Sequence, residues 1–101
     1  MLENLTVQSF LPETGKRFRI EREEAAAVEV ELVSVRDLSG STGAPGRAPF
    51  SLLFRGPLQP VLPQRIYAVE PVEPSALGRI EIFLVPVGPD QSGMRYEAIF
   101  N

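Results

Sequence analysis

Any side-chain chemistry in this chain has to come from carboxylates, because none of its 101 residues is histidine or cysteine. Their absence removes disulfides, thiol nucleophiles, zinc sites built on Cys or His, and the imidazole proton shuttle. The acids gather early, at Glu21, Glu23, Glu24, Glu29 and Glu31. Paired acids can hydrolyse glycosides or hold a hard cation such as calcium. The spacing here is not that of an EF-hand. Glu29 and Glu31 instead alternate with Val28, Val30 and Leu32, which predicts the solvated face of an amphipathic strand.

Three other constellations invite the same weighing. Ser39, Ser41 and Thr42 sit in SGSTGAPG, a loop able to cradle a phosphate but without the lysine or the following helix of a P-loop. Asp90-Gln91-Ser92-Gly93 looks like part of a metal loop but has hairpin-turn chemistry. Arg55 ends the most apolar stretch, where its guanidinium can pair with a carboxylate such as Glu97 or Glu81, or meet a ligand. Tyr67 and Tyr96 could stack on a sugar or a base. Their places on strands point instead to packing in the core or at a barrel end.

The elements that must hold these residues are strands. Phe50, Leu52 and Phe54 alternate with Ser51, Leu53 and Arg55, and Gly56-Pro57 stops the run. A proline-punctuated crossing then leads to a second strand over Gln64–Glu70 with Ile66, Tyr67 and Val69. Upstream, Thr6 can cap a short helix over Val7–Leu11, ended by Pro12 and anchored by Phe10, with a strand as the alternative. Arg17–Arg22 is a half-buried strand, Glu23-Glu24-Ala25 a hairpin connection, and Ala26–Arg36 the longest strand. Ser75–Gly78 can make one helical turn. Arg79–Val87 is apolar on both sides from Ile82 onward, so it reads as a central strand with Pro86 at an edge or bulge. Gly88–Gly93 is a loop, and Met94, Tyr96, Ala98 and Phe100 mark the buried face of the last strand. Phe54 and Phe83 are the expected core anchors.

Ten prolines and eight glycines suit short strands and turns rather than long helices. The expectation is a single all-β domain over residues 1–101. It has five to six mostly antiparallel strands, closed as a small barrel or folded into a two-layer sandwich, with at most a short N-terminal helix. A net charge of −3 without a basic stripe gives no argument for a nucleic-acid partner, and none is expected. No run approaches the roughly 20 apolar residues of a membrane helix. MLENLTVQSF is not a secretory signal, so a soluble, cytoplasmic chain is expected. No cofactor is implied.

Two segments suggest contact with something else. Asp37–Pro49 is rich in Ser, Gly and Pro and is expected to be exposed, mobile and dispensable for folding. Along the longest strand the alternation slips at Leu32-Val33, and Leu32–Val35 is apolar on both faces. Either a β-bulge turns Val33 and Val35 into the core that Val28 and Val30 face, or another protein covers Leu32, Val33 and Val35. With Arg55, these are the candidate interaction residues.

FSLLFRGP, LPQRIYAVE, LGRIEIFLVPVG and the terminal YEAIFN together resemble a family of small uncharacterised bacterial domains loosely associated with phage-tail-like or tail-collar genes. The resemblance spans about residues 50–101, and Phe10, Gly15 and Phe18 fit a more variable front half. After the Tyr67 strand this chain has Glu70-Pro71-Val72-Glu73-Pro74, where that family has a short polar residue or His. The resemblance brings no catalytic residue. It implies a structural or assembly module, with a protein partner or self-association. A small-ligand binder or carboxylate enzyme using the barrel mouth is the alternative, with no small molecule identified.

Overall fold

In the computed structural model, which describes residues 5–38 and 49–100, six strands follow a short helical segment. They are β1 (Arg17–Arg22), β2 (Ala25–Asp37), β3 (Phe50–Gly56), β4 (Arg65–Pro71), β5 (Ile80–Asp90) and β6 (Gly93–Phe100). Every neighbouring pair is antiparallel, in the order β1-β2-β3-β6-β5-β4, and β4 returns to pair with β1. The architecture is therefore a closed barrel rather than a sandwich. Closure removes the free strand edges that make sheet proteins prone to aggregation.

Period-2 alternation puts one apolar set inside. Phe18 and Ile20 of β1 face Val30 and Val28 of β2, and Phe54 of β3 faces Tyr96 of β6. On β5 the buried residues are Ile82 and Leu84. Phe83 lies between them and is 48% exposed, so it points outward and is not a core anchor. A strand apolar on both faces gives no phase by alternation alone, and the β4 register decides it. Tyr67↔Ile82 is the inward pair and Ile66↔Phe83 the outward one.

Besides a shift between Ile20 and Arg22 near the β1–β2 hairpin, two register shifts fall later in the chain. Between β2 and β3 the register passes from Leu32↔Phe54 to Ser34↔Leu53. Val33 is the inserted residue and remains half-buried, while Val35 returns to the core side opposite Leu52. Of the two valines, only Val35 packs against the core. The second shift falls between Pro86 and Gly88. β5 pairs with β4 only as far as Leu84, so Pro86 occupies a stretch with one strand neighbour, where a residue lacking an N–H is tolerated.

The chain itself closes both barrel ends. At one end α1 (Val7–Phe10) runs into a 3₁₀ turn, Leu11–Glu13. Its start is held by the Thr6 amide, which donates to Ser9 Oγ at 3.0 Å. Pro12 does not end the helical segment as expected but lies within the 3₁₀ turn, at a position that needs no amide donor. Phe10 packs on Phe50 and Phe100 at ring distances of 5.8 and 5.7 Å. Those two rings stack on each other at 4.6 Å. At the other end the Pro57–Gln64 crossing drops Leu62 into the barrel, 2% exposed. The Leu62 amide donates to the Tyr96 hydroxyl at 2.9 Å, and the Tyr67 hydroxyl donates to the Pro63 carbonyl at 2.6 Å. Both tyrosines are thus barrel-end residues.

Smaller differences from expectation are local. Ser75–Gly78 forms a hydrogen-bonded turn rather than a helical one, with Gly78 at φ +64°. The last hairpin is tighter than Gly88–Gly93, because β5 and β6 continue to Asp90 and Gly93. The Leu38 amide donates to the Pro49 carbonyl at 2.9 Å, pairing the two ends of the long loop. The expectations for its interior, including Ser39, Ser41 and Thr42, lie outside the described residues.

Candidate functional site

With both ends filled, a concavity lies outside the barrel. A groove of about 770 Å³ runs along the outer face of β4, between the β1–β2 hairpin and the Pro60–Pro63 stretch of the crossing. β4 contributes Arg65, Ile66, Tyr67 and small Ala68 to the lining of the groove. Arg79, the residue before β5, pairs with Glu21 of β1 at 3.3 Å, across β4. Ile66 is 64% exposed and opposite Phe83, so the groove opens directly onto an apolar strip. Ile99 of β6, 56% exposed, lies two residues past Glu97, the partner of Val85 on β5.

The groove carries both signs of charge. Arg22 and Arg65 line it near the buried Tyr67, and Glu23 and Glu24 form the hairpin tip. Among the described residues none of these four belongs to an ion pair. Burial pushes the Tyr67 hydroxyl above its ordinary pKa, opposed in part by the charges of Arg65 and Arg22. That hydroxyl is already committed to Pro63, so it serves the fold.

Arg55, the basic candidate read from the sequence, pairs with neither Glu97 nor Glu81. Its guanidinium grips Asp90, Nη2 to Oδ2 at 2.7 Å and Nε to the two oxygens at 3.0 and 3.2 Å. Asp90 Oδ1 also accepts the Ser92 and Gly93 amides at 2.8 and 3.0 Å. The Arg55 bond first, and the Ser92 amide next, hold the Asp90 carboxyl below the usual carboxylate range. The pair ties β3 to the β5–β6 turn. Gly93 sits beside it at φ +153°, where any Cβ would run into the Gly56 carbonyl oxygen. Glu97 faces Leu53 and Val85 across its two neighbouring strands, and Glu81 faces Ala68. The bulged segment presents little to a partner: Leu32 is fully buried and Val33 and Val35 are half-buried.

The acids fall in two groups, Glu21, Glu23 and Glu24 along the groove and Glu29 and Glu31 away from it. Glu29 pairs with Arg17 at 3.4 Å, and Glu31 lies between Arg17 and Arg55 in the two strand registers. Among the described residues no group of three Asp or Glu side chains could hold a metal ion. Also among them, no helix is long and apolar enough to cross a membrane.

Over residues 5–100 the sequence matches the family described as Domain of unknown function (DUF6916). This chain belongs to the DUF6916 family. No curated protein and no solved structure matches it. The DUF6916 match takes in all six strands, the helical plug and the proline crossing. Sequence reasoning missed the groove because its parts are far apart in the chain. The usable signal was the Ile66 position, which alternates out of phase with Tyr67 and Val69.

Proposed function

We propose that this DUF6916 domain is a non-catalytic interaction module that binds protein through the outer face of β4 and β5. One observation carries the reading. Ile66 and Phe83, directly opposed on neighbouring strands, expose large apolar side chains beside a charged groove. Clustered apolar exposure rimmed by charge marks a binding surface more often than a bare monomer face. The packed interior supports the reading, since Leu62 and Phe10 fill the places a barrel-mouth ligand would need. The narrower reading, an assembly component of a phage-tail-like particle, rests on the resemblance of the strand motifs.

Site-specific photo-crosslinking tests it. A benzophenone side chain replacing Phe83 should give covalent protein adducts in cells, and the same group replacing Glu29 should not. Equal labelling at both positions, or none at either, would remove the basis for the reading.

A further inference from the structure

The charges around the groove indicate what covers it. The β1–β2 hairpin presents Arg22, Glu23 and Glu24, and Arg65 of β4 lies across the groove from them. All four lack ion pairs among the described residues. With the unpaired acids Glu23 and Glu24 on the hairpin lip and unpaired Arg65 at the start of β4 across the groove, the surface is its own electrostatic complement under a two-fold rotation. In an isologous dimer residue i meets residue j and j meets i, so each such contact is made twice.

We infer that the partner seated on this face is a second copy of the chain, related by a two-fold axis. The Glu23–Glu24 tip of each copy meets Arg65 of the other, and the Ile66–Phe83 strips pack together between them. The inference rests on the interaction reading above and names its occupant. It also accounts for a groove of balanced charge: a strongly acidic or basic partner would favour one sign, whereas a copy of the same surface needs both.

A charge exchange tests this arrangement. Sedimentation equilibrium of the wild-type chain should show a monomer–dimer equilibrium. Arg65→Glu and Glu24→Arg should each weaken association by about tenfold or more, because each places like charges together at both symmetry-related contacts. An equimolar mixture of the two variants should recover association, since every contact in the mixed dimer again joins opposite charges. Circular dichroism spectra matching the wild type's show that the fold is intact, since loss of association by itself lowers a urea midpoint. A monomeric wild type overturns the inference, as does a mixture no tighter than the separate variants. If the wild type is monomeric but the Phe83 crosslinker captures a different protein, the second copy is excluded and the interaction reading stands. If the crosslinker captures nothing, both fall.

Discussion

The Leu62 amide donates to the Tyr96 hydroxyl across the floor of the barrel, at 2.9 Å. This bond joins the proline crossing to the last strand and lets a loop leucine complete the core. Removing the hydroxyl in Tyr96→Phe leaves a buried amide without its acceptor, a loss of about 1–3 kcal/mol. Leu62→Ala should cost about 2–5 kcal/mol, as for other fully buried leucines. Urea midpoints measure both. A neutral Tyr96→Phe would show that the crossing is held by something else.

Phe54 and Phe83 should behave as opposites despite similar sequence surroundings. Phe54→Ala empties the core where the Phe18 ring meets it edge-on at 5.6 Å, and should cost about 3–5 kcal/mol. Phe83→Ala removes one member of an exposed cross-strand pair, and should cost about 1 kcal/mol or less. Equal losses in the two variants would mean that the phase of β5 is reversed.

That contrast shows what was legible in the sequence. Wherever polar and apolar residues alternate, as over Arg17–Arg22 and Met94–Phe100, strand and facing follow directly from the residues. The Leu32–Val35 slip also had its physical cause in view, since one inserted residue flips every later side chain. Alternation failed at Ile82–Val87, where both faces are apolar; the exposed Glu81 on the Phe83 face and the pairing of Ile80 and Ile82 with Val69 and Tyr67 set the phase. The Arg55–Asp90 pair was out of reach for a different reason. It depends on how barrel closure brings the β5–β6 turn against the end of β3, and no local pattern encodes that contact. The groove failed in the same way, being assembled from β1, β4, β5 and the crossing.

The Arg55–Asp90 pair predicts an acid limit to stability. Asp90 has a folded-state pKa lowered from 3.8. Its contribution is therefore fully present above that value and is lost as pH falls through the lower, folded one. Asp90→Asn should lower the melting temperature at neutral pH and flatten the loss of stability on acidification below about pH 4. Glu70→Gln, at the exposed 3.6 Å pair with Arg19, should change the neutral melting temperature much less. Identical acid profiles for wild type and Asp90→Asn would show that the pair contributes nothing to the native state.

The claim that the working surface is the outer face of β4 and β5, covered by a second copy, is tested most directly by isoleucine methyl NMR over a dilution series. Ile66 and Ile99 lie on the exposed face, and Ile20 and Ile82 lie in the core. On dilution the Ile66 methyl should shift most, Ile99 in the same direction at the edge of the strip, and Ile20 and Ile82 not at all. Spectra that do not change with concentration, or shifts confined to Ile20 and Ile82, would contradict it.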